Sequence, residues 1–236
     1  TKGAIKGGVS LRDAADAVGA LQKNLSEFDP KQINSGVATT VARLKRLNVA
    51  VESSTKLIDY FNESGLPATA DEAADMTRHL ALAGSAIGIT TEKMVSDFAA
   101  VQERLSIFGH QSVEVFEKLQ GVVKETGLAI GDLTAMAKTF DKFDTAAASV
   151  AKMNAVLGTQ LSTVDMMMAN DAERVIQVTK QVKATIGADF NNLNKFEKLY
   201  VAQAMGINDV SKAQRLLNAD FEEFGTLTAQ MEQTRV

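Results

Sequence analysis

The chain alternates signals that end a helix with signals that begin the next one, and this pattern limits its fold more than any other feature. Four segments place a short hydrogen-bonding side chain three residues before an acid, the spacing of an N-terminal capping box or its Asp variant: Ser10–Asp13, Thr69–Glu72, Ser162–Asp165 and Asn170–Glu173. Glycine followed by an apolar residue supplies the matching ends, because glycine adopts positive φ without strain. These pairs are Gly65-Leu66, Gly88-Ile89, Gly127-Leu128 and Gly206-Ile207, and Gly109, Gly158 and Gly187 punctuate the same region.

The rest of the sequence favours helix throughout. Only two prolines, Pro30 and Pro67, occur in 236 residues, and apolar residues never alternate over a sustained stretch as they do in strands. An apolar share of 45% is enough to build a core. The intervals between the glycines vary, which is unlike a regular solenoid repeat. We therefore predict an all-α protein.

The two parts of the chain differ in pattern. Leu11, Val18, Leu21, Leu25 and Phe28 mark a first helix, which stops at Asp29-Pro30. We predict an extended helical arm, with a coiled coil as one interpretation, over residues 1–65. A compact module of short capped helices is predicted over residues 66–236.

A heptad-like stripe follows Pro30. Its members fall on alternating four- and three-residue steps, with polar residues at two of the seven positions. Two interpretations stay open: a self-association seam, with a parallel trimer as the leading guess, or an amphipathic helix packed on its own domain. The stripe consists of Val37, Val41, Leu44, Asn48, Val51, Thr55 and Ile58.

Charge and composition argue against several classes of site. The 25 basic and 29 acidic residues give a net charge of -4, and the best basic cluster is Arg43, Lys45 and Arg46. Nonspecific nucleic-acid binding needs a larger basic face, and the absence of tryptophan removes a common stacking residue. We expect no specific nucleic-acid binding.

Metal and cofactor sites are not expected either. The chain has no cysteine, only His79 and His110 could supply imidazole, and neither has a second histidine four residues on. No Gly-rich phosphate loop or nucleophile elbow occurs. The sequence thus predicts no metal, no cofactor and no catalytic centre, and the lack of cysteine favours an intracellular protein.

Targeting signals are not expected. Gly3, Gly7 and Gly8 interrupt the start of the chain before any apolar region of a signal peptide forms. No segment reaches the ~20 apolar residues of a membrane span. Because the chain opens on Thr1, one interpretation is a processed or excised piece of a longer protein.

One segment suggests an enzyme. Residues Glu63 to Ala68 resemble the start of the catalytic region of lytic transglycosylases, in which the glutamate is the general acid and base. The downstream Gly-Leu-Met-Gln and the tyrosine-rich segment of that family are missing. A helix end capped by Gly65 accounts for every residue, so a peptidoglycan-cleaving protein centred on Glu63 is the lesser alternative.

Two further groups of residues suggest core packing. Met166, Met167 and Met168 have no neighbouring cysteine or histidine, so core filling is a simpler role than soft-metal binding. Phe140 and Phe143 are three residues apart, and we expect them on one buried helix face.

From about Gly109 to Leu217 the chain resembles the tail tape-measure proteins of bacteriophages, in particular those of contractile-tailed phages. Each matching motif is short, but their order and spacing extend over roughly half of the chain. The motifs are residues 116–119, 126–128, 132–134, 142–147, 153–158, 164–174, 193–197 and 202–207.

The resemblance implies a structural virion protein of a phage tail, assembled in the host cytoplasm. It would occupy the tail tube or the centre of the baseplate, and its partners would be copies of itself and the tail-tube and baseplate hub proteins. The family sets the length of the tube, and a helix that advances about 1.5 Å per residue suits a ruler. Tape measures are usually much longer than this chain, so a fragment or a related tail protein is implied. A cellular helical adaptor is a further alternative.

Overall fold

The computed structural model describes residues 35–46, 49–63, 70–187, 189–220, 227 and 229–231, together with Arg12, Ala15, Asp16, Val18 and Gly19. Every regular element in this part of the chain is helical, so the all-α prediction is confirmed. The predicted first helix is described only at those five residues, which are helical. Its Leu11, Leu21, Leu25, Phe28, Asp29 and Pro30 lie outside the described residues.

Eleven α-helices and two 3₁₀ turns follow along the described ranges. The helices are α1 Ser35–Arg46, α2 Val51–Glu63, α3 Ala70–Ala86, α4 Thr91–Leu105, α5 Ser112–Thr126, α6 Ile130–Lys138, α7 Phe143–Leu157, α8 Thr163–Met168, α9 Asp171–Ile186, α10 Lys195–Ala204 and α11 Val210–Asn218. The 3₁₀ turns are Ser106–Gln111 and Phe190–Asn192. No helix in these ranges is both long and apolar enough to cross a membrane.

The chain divides into two compact units. The first is Thr1–Val113 with Ala229–Val236, and the second is Glu114–Thr228. In the first unit, α1 packs on α2 and α3, and α4 packs on α2 and α3. The boundary predicted after residue 65 therefore falls inside a unit. Over residues 35–63 the chain forms two packed helices, and the extended arm over residues 1–65 stays a prediction.

The heptad-like stripe lies on two helices and not on one. The amide of Val49 donates to the carbonyl of Leu44 at 3.0 Å, a return over five residues that is typical of a helix end. Asn48 lies outside the described residues, and Val51 is half-buried. The other five members, Val37, Val41, Leu44, Thr55 and Ile58, are at most 2% exposed.

Thr55 shows how a polar member of this stripe is accommodated without a second copy. Its hydroxyl donates to the carbonyl of Glu52 at 2.9 Å, and the neighbouring Ser54 donates to Ala50 at 3.3 Å. Such bonds back to the helix satisfy a buried hydroxyl within the chain. In the structure, the helices that carry the stripe are amphipathic and pack within their own unit. Association of copies through the stripe stays a prediction.

In the second unit, α9 is central and contacts α6, α7 and α11. Its inward stripe of Ala172, Val175, Val178 and Val182 is fully buried. Burial of each valine stabilises the unit by about 1.5–3 kcal/mol relative to its exposure. The outward face of α9 carries Lys180 and Ala184.

The predicted helix ends are largely confirmed. Gly88, Gly127 and Gly206 all have positive φ, and the apolar residue after each is buried. The amides of Ile89 and Ile207 return to Gly84 and Ala202 at 2.8 Å, as in Schellman motifs. Gly187 differs, because its φ of -57° is right-handed. Gly65 lies outside the described residues.

Two of the four predicted helix starts are confirmed. Asn170 and Glu173 form a complete capping box, and Ser162 accepts from the amide of Asp165 at 3.3 Å. The starts predicted at Ser10 and Thr69 lie outside the described residues.

Replacement of Leu44 by alanine separates a core role from a seam role. Because Leu44 is buried in its own unit, Leu44→Ala should lower the free energy of unfolding by about 2–5 kcal/mol. Urea denaturation followed by circular dichroism measures this loss. The exposed Lys56→Ala is the control and should stay near wild type. An unchanged stability with a lower oligomeric mass in sedimentation would instead support the seam.

Candidate functional site

Exposed apolar side chains mark the candidate site in the second unit. Among the described residues of this unit, six large apolar side chains are exposed, and all lie on α7, α8 or α10: Phe143, Val156, Val164, Met168, Phe196 and Tyr200. Isolated exposed apolar residues are ordinary, whereas contiguous ones mark interaction surfaces. Their arrangement therefore decides whether they form a site.

A contact between α7 and α10 brings part of this set together. The amine of Lys152 on α7 lies 4.6 Å from the centre of the Tyr200 ring on α10. Phe196, one turn before Tyr200, is 81% exposed, and Val156, one turn after Lys152, is 48% exposed. One turn apart on a helix means the same face, so the two helices present a common apolar surface.

The outward side of α7 continues this surface. Ala148, Ala151 and Ala155 are exposed there, whereas a surface helix usually has charged residues on its outward side. The 15 residues of α7 include only two charged ones, Asp144 and Lys152. We call the surface made of Ala148, Ala151, Lys152, Ala155, Val156, Phe196 and Tyr200 the α7–α10 face.

Local hydrogen bonds fix the helices that carry this face. At the start of α10, Asn194 accepts from the amide of Glu197 at 3.1 Å, and the Glu197 carboxylate accepts from the Asn194 amide at 2.8 Å. At the end of α7, the Asn154 side chain donates to the Leu161 carbonyl at 2.8 Å and accepts from the Thr159 hydroxyl at 2.7 Å. Hydrogen-bonded polar side chains therefore fix the end of α7 and the start of α10.

Arg174 joins three segments next to α7. Its guanidinium donates to the carbonyls of Met166 and Met167 on α8 at 2.8 and 3.0 Å, and to the Asp141 carboxylate before α7 at 2.7 Å. It also lies 3.4 Å from the buried Asp171 carboxylate. The end of α8 is therefore held near the start of α7.

A cleft of about 230 Å³ lies elsewhere in the second unit. Its walls include Leu128, Leu133, Ile207 and Leu216, and its polar side chains are Asp132, Asn208, Asp209 and Lys212. The Lys212 amine is already paired with Asp132 at 2.7 Å. The cleft is thus lined about equally by polar and apolar groups, and its one amine is engaged by a carboxylate.

Asp209 begins α11 beside this cleft. Hydrogen bonds from the hydroxyl and the amide of Ser211 hold the pKa of Asp209 below its ordinary value of 3.8. The carboxylate therefore serves as a helix cap, which favours its charged form.

Among the described residues, Tyr60 in the first unit also has a shifted pKa. Burial raises the pKa of Tyr60. Its ring meets Phe98 edge-on, with 5.6 Å between ring centres. The contact suits a packed aromatic of the core.

The two predicted packing groups are confirmed only in part. Phe140 is buried, but Phe143 is 64% exposed. The prediction of one shared face was wrong because α6 ends at Lys138 and α7 begins at Phe143, so no single helix includes both residues. Met166 is buried as predicted, whereas Met168 is 83% exposed.

The other residues singled out from the sequence do not come together. Glu63 ends α2, while its side chain and residues 64–69 lie outside the described residues. The stripe from Val37 to Ile58 lies in the other unit, within its core. His79 is half-buried on α3, and the side chain of His110 lies outside the described residues.

Sequence reasoning missed two features of the site. The capping box from Asn194 to Glu197 has the same spacing as the one at Asn170 and was detectable in this way. Arg174 gave no comparable signal, because its partners are mostly backbone carbonyls brought close by the fold.

Comparisons with known proteins give no match for the chain. No protein-family model matches it, and no curated protein or solved structure matches it significantly. Within the described ranges, no three acidic or histidine side chains gather in a group that would hold a metal ion.

Arg174→Met tests how far the second unit depends on this guanidinium. Removing one partner of a buried ion pair should lower the free energy of unfolding by about 3–5 kcal/mol, and adding Asp171→Asn should recover part of the loss. Urea denaturation measures both. Arg215→Met, which removes an exposed guanidinium, is the matched control. Equal stability of Arg174→Met and wild type would contradict the assignment.

Asp209 gives a prediction about pH. Since its pKa in the folded chain is below 3.8, its contribution to stability is present above that value and is lost as the pH falls through the folded pKa. Ser211→Ala removes the largest cause of the shift, so the Asp209 pKa measured by NMR should rise toward 3.8. An unchanged pKa in this variant would contradict the Ser211 hydroxyl as the main cause of the shift.

Proposed function

We propose that this chain is a structural protein of a phage tail, of the tape-measure type, and that it acts by packing against other proteins. The resemblance over residues 109–217 is the basis of the phage assignment. The observation that supports a packing role is the α7–α10 face, an apolar surface that a helix of this exposure ordinarily lacks.

The resemblance extends over one physical unit of the chain. Its limits, about Gly109 and Leu217, are close to those of the second compact unit, Glu114–Thr228. A likeness that coincides with a compact unit is consistent with a shared folded module. The first unit then falls largely outside the module.

Several of the resembling motifs also end or begin helices in this unit. Motif 153–158 supplies Asn154 and the positive-φ Gly158, motif 193–197 supplies the capping box of α10, and motif 164–174 supplies Arg174. Residues in these roles fix the paths of the turns. A tape-measure module with the same turns would therefore have the same helix arrangement.

In this proposal the chain lies in the tail tube or at the baseplate centre and leaves the particle with the DNA. The net charge of -4 suits a protein that shares a tube with DNA, because like charges limit adhesion. Apolar faces such as the α7–α10 face would then contact other copies or the tube and hub proteins.

Mass spectrometry of purified phage particles tests the proposal. Peptides of this chain should occur at a constant ratio to the tail-tube protein and should be depleted after DNA ejection is triggered. An abundant host cytoplasmic protein is the control for contamination. Detection of the chain only in the host lysate would reject the virion assignment and favour a cellular adaptor.

A further inference from the structure

The outward side of α7, which forms part of the α7–α10 face, has a charge pattern that indicates which protein binds there. Asp144 and Lys152 are the two charged residues of α7, and each lies four residues from Ala148, on opposite sides of it along the chain. Eight residues are just over two helical turns, so both side chains lie toward the same outward side. The outward side of α7 is therefore apolar around Ala148, with the acid Asp144 one turn before it and the base Lys152 one turn after it.

From this pattern we propose that two copies of the chain associate through α7, antiparallel about a two-fold axis near Ala148. Antiparallel packing about that residue places Asp144 of one copy opposite the partner's Lys152, and the same pair recurs on the other side of the axis. A surface that is complementary to itself in this way makes an isologous dimer. The interface is separate from the heptad-like stripe of the first unit.

The side chains along α7 permit close approach. Ala148, Ala151 and Ala155 are exposed and short, so a second helix can pack near the backbone, as small residues allow at helix contacts. The helix is about 22 Å long, at 1.5 Å per residue for its 15 residues. That length accommodates both copies of the Asp144–Lys152 pair.

The flanking aromatic residues extend the contact. A stable interface typically buries about 800 Å² on each partner, which is more than a row of alanines provides. Phe196 and Tyr200 on α10, with Val156 on α7, add large exposed apolar area beside the row. Lys152 lies over the Tyr200 ring, which places its amine at the junction of the two helices.

Charge reversal in purified protein tests the dimer. We expect a monomer–dimer equilibrium in sedimentation, and Asp144→Lys or Lys152→Asp should each raise the dissociation constant at least about tenfold, because each creates two like-charge contacts. The double reversal, Asp144→Lys with Lys152→Asp, should restore association. Circular dichroism verifies that each variant keeps its helix content.

A second variant tests the apolar part of the contact. Ala151→Glu should abolish association by placing a charge against the partner helix, whereas Ala184→Glu on the outward face of α9 is the matched control and should not. A monomer at every concentration, or a dimer indifferent to both the reversals and Ala151→Glu, overturns the proposal.

The dimer proposal rests on the proposed function, because both use the same packing surface. The two proposals are nevertheless tested by different experiments, so that one can be rejected without the other. Loss of association is read from purified protein, whereas the virion assignment depends on the content of phage particles.

Discussion

Short helices impose one constraint on which the rest of this structure depends: each helix must satisfy the backbone groups at its two ends. A helix leaves four amides and four carbonyls without partners inside it, whatever its length. In a chain of helices as short as the six residues of α8, most of the backbone lies near an end. Capping boxes, Schellman returns and the contacts of Arg174 and Asn154 are therefore the main structural devices of the second unit.

These devices also fix where the apolar surface lies. The box at Asn194 sets the start of α10 and thereby the position of Phe196, while the Asn154 contacts hold the end of α7. A face that stays apolar and exposed on well-fixed helices is suited to contact with another protein. Polar groups at the helix ends thus position apolar groups that are available for binding.

The resemblance to tape-measure proteins and the physical features of the chain concern the same segment for different reasons. The resemblance rests on the order of short motifs, and the structure gives those motifs roles in the turns of one compact unit. A ruler in a tail tube requires a defined length and lateral contacts between neighbouring proteins. In the proposed function, helices with fixed ends would serve the first requirement and the α7–α10 face the second.

The sequence by itself determined the helical class and several of the helix ends. Helix ends are local, because the glycine at positive φ or the capping side chain acts within a few residues, and so Gly88, Gly127, Gly206 and Asn170 were predictable. The same locality made the exposure of side chains harder to predict. Phe143 and Met168 have the same apolar side chains as the buried Phe140 and Met166, and only the packing of their helices leaves them exposed.

Only the tertiary structure determined that most of the stripe is buried within its own unit and which groups Arg174 contacts. The spacing from Val37 to Ile58 fits both a coiled coil and a folded domain, because both need an apolar face. The helix end at Leu44–Val49 and the packing of α1 on α3 bury most of this face within its own unit, and association of copies stays a prediction. Arg174 contacts carbonyls from segments up to 37 residues away, and such contacts have no sequence pattern. Hydrogen bonds between residues close in sequence can be predicted from the sequence. The residues that contact a buried face or a buried charge cannot, because they depend on how the helices pack together.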